Sequence, residues 1–453
     1  MSKAEETNKM NDMTYDEIVD YLYNIPRFTK GGHMDNVRKL LAALSNPQDS
    51  FKYVHVAGTN GKGSVCAYLE RCLRLCHQKT GLFTSPHLIR VNERMRICGR
   101  EISDADFVRI FHEIRELVEE QAAHGCVEPT FFEYIYLMAM VYFREQRIDY
   151  GVIETGMGGR MDFTNACSHP VLTIITPISM DHMAVLGNSI AKIADEKAGI
   201  IKAGCPLVYY GQDPQVKAII TSYVQSLGVD ACCLTDAQVE IMSDDGKTID
   251  FSLNYGYHDN YRLTLNTAAT YQAVNASLAL LGFKALWPAV AGAASGDLFL
   301  SVVRRAFAST HWPGRMEALG ERFYVDGAHN EAGIDAFVET IRCGFGHKPL
   351  TVVFAVAGDK DYRAMVRKIC SIPELTGVVV TEIENGRRCD LHEVAAEFEK
   401  NWNGIICSTY NIREALDRGL ALKGQSGILC CVGSLYLVGS VKEITGGISD
   451  DQL

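Results

Sequence analysis

The sequence predicts an α/β protein of two domains, and three observations carry that prediction. Tyr53–Ala57 is a short apolar run with β-branched residues that stops at glycine and gives way to an amphipathic stretch, a pattern of strand, loop and helix. Beyond residue 310 the alternation of strands and helices restarts, with apolar runs at 323–326, 350–355, 377–381 and 427–433. A chain of 453 residues with 47% hydrophobic and 22% charged side chains exceeds what one core usually organises, and its composition excludes a largely disordered protein. The expected division is 1–310 and 311–453. The first domain is expected to hold a mainly parallel sheet with a small antiparallel ribbon.

Composition also narrows the function. A formal net charge of −11 argues against binding nucleic acid through a general basic surface, and leaves local pockets for phosphates and carboxylates. The fifteen cysteines include no Cys-x2-Cys pair and read as buried thiols in a reducing compartment, not as a zinc site or disulfide framework. The first twelve residues lack an apolar signal core, and no segment is expected to approach a membrane span. The expectation is a cytoplasmic monomer acting on small molecules, without nucleic-acid or membrane partners.

Taken in order, residues 1–13 read as a disordered lead, and helices are expected over 15–23, entered through Thr14, and over 34–44. Residues 25–32 are a turn-rich loop. In 53–64, Gly58, Gly61 and Gly63 let the backbone approach a polyphosphate. Lys62 is placed to neutralise phosphate oxygens, and the Ser64 hydroxyl to face a magnesium ion. The helix that follows carries Val65, Leu69, Cys72, Leu73 and Cys76 on one face, so its N-terminal N–H groups point back at the loop. The spacing differs from the standard phosphate-loop order, and an ordinary glycine-rich turn is the alternative. Only about fifty residues precede the loop, too few for a separate α/β domain.

A strand over 80–84 ends at Ser85, which is either a turn serine or a hydroxyl at the sheet's carboxyl edge. Helices follow over 104–123 and 130–143. The second opens on Thr130, Phe131, Phe132 and Glu133, an aromatic group suited either to a core or to a flat ring. Strand 150–154 ends in Glu154, well placed to hold a metal on a nucleotide, with a glycine cluster behind it. Strand 171–176 leads to Asp181 and His182, and a helical segment carries Lys197; taken alone, His182 reads as a loop residue and Lys197 as a solvated charge. A strand over 206–210 precedes alternating runs at 248–253 and 261–265, an antiparallel ribbon. Gln272 and Asn275 share a face of the helix 268–281, suited to a purine edge or, more simply, to a surface pair. The small-residue stretch 289–296 and the sequence 310–315 bracket a helix and a linker. The second domain's first strand ends in Asp326-Gly-Ala-His-Asn330 and lacks a dinucleotide fingerprint.

Together these motifs resemble the folylpolyglutamate synthase and dihydrofolate synthase family of the Mur ligase superfamily. The resemblance rests on residues 55–64, 84–88 with 92–94, 154–162 with 164–165, 181–182, 196–202, 313–315, 326–330, 359–361 and 433–436, in that order. It implies a P-loop ATPase-like first domain, a Rossmann-like second domain, and ATP-driven amide formation that adds L-glutamate to a folate through an acyl phosphate. It implies further that Ser85 and Glu154 hold one magnesium ion, that Glu154 and His182 hold a second, and that Lys197 is carbamylated. Asn60, Gly61, Lys62, Gly63, Asn275, Arg315 and Asp326 are implied ATP contacts, the last two reaching across from the second domain. Thr130, Phe131, Phe132, Glu133, Met161, Asp162 and Phe163 are implied to line the pteridine pocket. The segment 25–33 lacks the Asp-Leu-Gly of well-known bifunctional members, and 384–389 departs from the family pattern. A cell-wall Mur ligase is the nearest enzyme rival, disfavoured by the short N-terminal segment. A nonenzymatic folate- or nucleotide-binding relative is the rival of another class, disfavoured by the intact set Lys62, Ser85, Glu154, His182 and Lys197.

Overall fold

The computed structural model describes residues 13–25, 33–256, 259–292, 296–383 and 388–446. The expected disordered lead, most of the loop at 25–32, part of the stretch 289–296 and the core of 384–389 lie outside the described residues. The chain forms two compact units that interleave along the sequence. Where a single cut after residue 310 is expected, residues 179–189 and 236–277 group with 307–453, and the remainder forms the first unit.

The first unit is built on an eight-stranded sheet. Its strands are β1 (Lys52–Ala57), β2 (Thr80–Phe83), β3 (Met95–Ile97), β4 (Arg100–Glu101), β5 (Tyr150–Glu154), β6 (Leu172–Ile175), β7 (Leu207–Tyr210) and β8 (Ala231–Leu234). They lie in the order β4-β3-β2-β5-β1-β6-β7-β8, with β3 and β4 antiparallel at one edge and the rest parallel. The buried, β-branched character of β1, β5 and β6 is what a parallel sheet covered on both faces requires. The helix Phe131–Glu145 covers one face; Thr130 caps it with Glu133 as the reciprocal partner, and Tyr134 to Val141 are fully buried.

In the second unit, β9 (Val239–Asp244), β10 (Ile249–Tyr255) and β11 (Asp259–Leu265) form an antiparallel sheet, one strand more than the expected ribbon. A six-stranded sheet follows from β12 (Glu317–Gly320), β13 (Phe323–Val325), β14 (Leu350–Phe354), β15 (Leu375–Val380), β16 (Ile405–Ser408) and β17 (Ile428–Val432). Its order is β12-β13-β17-β14-β15-β16, parallel except for β12. Ala268 and Ala269 join its core, so the chain just before the helix Gln272–Ala291 is part of this unit.

Two expectations need correction. The helix Gln272–Ala291 is 20 residues long and apolar enough to meet the length of a membrane span. Most of it is buried in the protein, where Leu278, Leu280 and Phe283 are fully covered. The cysteines are all free, but Cys343 is exposed and several others only partly buried, so buried thiols describe about half of them.

Candidate active site

In the first unit the carboxyl ends of β1, β2, β5 and β6 bring the expected groups to one sheet edge. β1 runs into Gly58, whose φ of 151° no side chain favours; a Cβ there would stand 1.8 Å from Thr176 Oγ1, just beyond β6. That hydroxyl donates to Asn60 O at 2.7 Å, and the N–H groups of Thr59 and Asn60 donate to Pro177 O at 2.9 and 3.3 Å, which fixes the loop's path. The helix Lys62–Leu75 starts at Gly61 with φ 85°, and no side chain caps it. Its first N–H groups and its dipole therefore present an anion-binding end.

Three charged side chains close on this loop. Lys62 Nζ donates to Thr59 O at 3.2 Å and lies 3.8 Å from Glu154 Oε1. The other Glu154 oxygen accepts the Ser85 N–H at 3.0 Å, where β2 ends and the Ser85–Pro86 bond is cis. Lys197, which a local reading places in solvent, is 3% exposed and donates to Gly58 O at 2.6 Å. Ser64 is buried in the first turn of the helix. Thr155 Oγ1, buried next to Glu154, has no hydrogen-bond partner among the described residues.

Among the described residues no three His, Cys, Asp or Glu side chains gather as a metal cage. One buried carboxylate with nearby hydroxyls instead fits a magnesium ion that keeps waters and completes its shell with substrate phosphate oxygens.

The implied pteridine residues also come together in part. Phe132 lies 5.7 Å from the Phe83 ring and 6.3 Å from Phe163, and a Cβ on Gly156 would stand 2.7 Å from it. Phe131 stacks on Tyr23 at 5.3 Å, with the Arg94 guanidinium 5.1 Å from its ring centre. Met161 is 65% exposed, whereas the Asp162 carboxylate turns inward and accepts from Met157 N at 2.7 Å and from the Thr164 hydroxyl at 2.5 Å. Glu133 Oε2 likewise accepts the Thr130 N–H at 2.6 Å. These two carboxylates hold local backbone; Met161 is exposed, and Phe131, Phe132 and Phe163 are half-buried against the core.

In the second unit, His182 is exposed, with φ 49°, and its N–H donates to Asp181 Oδ1 at 2.8 Å. Asp181 also accepts from Lys360 Nζ and, at 2.9 Å, from Asn330 Nδ2. Burial pushes its carboxyl up, but Lys360, His182 and His329 outweigh this and hold it well below the usual carboxylate range. Burial and the Lys360 charge bring His329 down to about 4, so its ring is neutral near pH 7. Asp326 follows β13 and accepts from Tyr271 OH at 2.5 Å, Met316 N at 2.9 Å and Ala328 N at 2.8 Å. Burial raises its carboxyl against the pull of Arg315. The Pro313–Arg315 turn is held by Glu317, whose Oε2 accepts Gly314 N at 2.7 Å and whose Oε1 accepts Lys442 Nζ at 2.7 Å. Gln272 and Asn275 prove buried and bonded to each other, with Asn275 Nδ2 donating to Gln272 Oε1 at 2.9 Å. Nothing local in the sequence marks Lys360, Glu317 or Lys442 as part of these networks; the Asp359-Lys-Asp361 motif is the one available signal.

Residues 56–282 match the Mur ligase middle domain, and residues 314–435 match the Mur ligase glutamate ligase domain. The chain is 31% identical to the dihydrofolate synthase/folylpolyglutamate synthase of Bacillus subtilis, over 95% of this chain and 98% of that one. It is 31% identical to the folylpolyglutamate synthase of Lacticaseibacillus casei, over 96% and 100%. Among solved structures, the Mycobacterium tuberculosis folylpolyglutamate synthase complexed with ADP superposes with a TM-score of 0.85 at 29% identity, covering 96% of this chain and 99% of that one.

Proposed function

The chain belongs to the folylpolyglutamate synthase and dihydrofolate synthase family of Mur ligases, and from that membership we propose how its residues join L-glutamate to the γ-carboxylate of a reduced folate at the expense of ATP. The observation that carries the residue assignment is the convergence of Lys62, Glu154 and Lys197 on one glycine loop at the sheet edge. The chain is an ATP-dependent ligase; a solved folylpolyglutamate synthase complex with AMPPCP and folate superposes with a TM-score of 0.82 at 30% identity, covering 96% of this chain and 100% of that one.

In the proposed reaction a carboxylate oxygen of the folate attacks the γ-phosphorus of ATP and ADP leaves. The glutamate amine then attacks the acyl carbon of the resulting acyl phosphate, loses a proton, and expels inorganic phosphate. The loop Asn60–Ser64 cradles the phosphates through its N–H groups, and Lys62 offsets charge on the transferring oxygens. Arg315, Asp326 and Asn275 are the further nucleotide contacts of this reading. Ser85 and Glu154 would hold one magnesium ion and Glu154 with His182 a second, with Lys197 carbamylated; magnesium would supply charge neutralisation on phosphate oxygens. Phe131, Phe132, Met161 and Phe163 supply the faces for the folate ring, and Thr130, Glu133 and Asp162 hold them in place.

The test is phosphate release with ATP, L-glutamate and either tetrahydrofolate or dihydropteroate. Release that requires glutamate and tetrahydrofolate supports the reading. Release with dihydropteroate as well adds the dihydrofolate synthase activity that the name of the B. subtilis relative carries. Release with no acceptor refutes it.

A further inference from the structure

β1 does more than lead into the phosphate loop. Side chains two apart on a strand share a face, and on β1 Tyr53 and His55 both reach Thr164. The Tyr53 hydroxyl donates to Thr164 O at 2.8 Å, and His55 Nε2 lies 2.8 Å from Thr164 Oγ1. The Thr164 hydroxyl has one hydrogen, given to Asp162 Oδ1 at 2.5 Å, so it accepts from His55 Nε2–H. Asp162 in turn accepts Met157 N–H at 2.7 Å and Thr164 N–H at 3.1 Å. His55 is 1% and Thr164 0% exposed, so water does not substitute for either partner. Burial, with a smaller push from Lys202, lowers the His55 ring to about 3, which leaves it neutral with one N–H to donate.

We propose that His55 and Thr164 are positioning residues for acceptor binding: the chain His55 to Thr164 to Asp162 fixes the loop 157–163 so that Met161 and Phe163 present a preformed face to the folate ring. The inference rests on the assignment of Met161 and Phe163 to the folate pocket. Neither His55 nor Thr164 touches substrate. The strand of His55 also leads into the glycine loop, so a purely structural fault in β1 disturbs nucleotide and folate together, whereas loss of the relay alone disturbs folate.

The test is a split of Michaelis constants. Thr164→Val keeps the side chain's shape and removes its hydroxyl; it is expected to raise KM for tetrahydrofolate at least about tenfold while KM for ATP stays within about twofold. Thr164→Ser, which keeps the hydroxyl, is expected to restore most of the folate affinity. If Thr164→Val fails to fold, the pair His55→Gln, which retains an N–H donor, and His55→Leu, which does not, gives the same contrast, with only His55→Leu raising the folate KM. An unchanged folate KM in Thr164→Val, or an equal rise in both constants, overturns the proposal while the unaltered protein's folate-dependent turnover leaves the functional reading standing. An unaltered protein without that turnover overturns the functional reading and the proposal together.

Discussion

The carboxyl edges of the two parallel sheets solve the same problem in different ways. At the first, charged side chains are held by backbone: Lys62 by Thr59 O, Lys197 by Gly58 O, and Glu154 by the Ser85 N–H. At the second, charged side chains are held mainly by one another: Asp181 by Lys360 and Asn330, Glu317 by Lys442. The first arrangement comes from strand-loop-helix geometry and needs only short contiguous motifs. The second is assembled from distant segments, with Asp181 and Lys360 standing 179 positions apart and Glu317 and Lys442 125 apart. Backbone-held groups should therefore fail in activity when altered, and mutually held groups should fail in stability.

The largest expected effect breaks the first edge. Lys197→Ala removes a buried side chain from beneath the loop and with it the site of the proposed carbamate, and turnover should fall on the order of a thousandfold with little loss of stability. Millimolar short-chain carboxylates should restore part of it. Near-normal turnover without added acid would exclude the role given to Lys197.

Next in size is the second edge's buried ion pair. Lys442→Met leaves the buried Glu317 charge without its lysine, held by the Gly314 N–H and the His311 contact, and should lower unfolding free energy by about 3 kcal/mol in denaturant titration. The double change Glu317→Gln with Lys442→Met should recover much of that loss. A single variant as stable as its parent would mean the pair contributes nothing.

Arg315→Ala sharpens the contrast within the second unit, because Arg315 sits on the turn that Glu317 holds and is itself assigned to the nucleotide. Saturating kinetics should show turnover reduced by roughly 2–3 kcal/mol of transition-state stabilisation, with the thermal midpoint nearly unchanged. A shifted midpoint with normal turnover would make Arg315 a structural residue.

The smallest effect is in acid. Burial raises the Glu317 carboxyl, but the His311 contact, the Lys442 charge and the Gly314 N–H bring it from its ordinary 4.5 down to about 2. The group therefore contributes stability above pH 4.5 and loses it as pH falls toward 2. By pH 4 the loss should be on the order of 1 kcal/mol, and Lys442→Met should reduce it. Equal acid sensitivity in both proteins would remove Glu317 as the source.

The same contrast explains what was legible in the sequence. The glycine loop after β1, the place of Glu154 at the end of β5 and the central strands of both sheets follow from local patterns, because a strand that stops at glycine before an amphipathic helix constrains its own surroundings; the strands β3, β4, β8, β12 and β16, at or next to the sheet edges, are short and do not. Lys197 was not legible locally: its burial depends on the helix Ile190–Ala198 packing its last turn beneath Gly58. Asp162 reads as a pocket residue from its motif, yet its carboxylate is committed to Met157 and Thr164, a fact set by the fold of the glycine-rich loop. The Gln272–Asn275 pair reads as surface because polar pairs at helical spacing usually are; here both residues are buried and Asn275 Nδ2 donates to Gln272 Oε1.

The most direct measurement follows an oxygen atom. Tetrahydrofolate labelled with oxygen-18 in its γ-carboxylate is incubated with the protein, ATP, magnesium and L-glutamate, and the released phosphate is analysed by mass spectrometry. An acyl phosphate route transfers one carboxylate oxygen to each phosphate, so the phosphate should carry one label while the folate gains one glutamyl residue. Unlabelled phosphate, or phosphate released without a glutamylated product, would contradict the assignment of this chain as a ligase that activates the folate carboxylate.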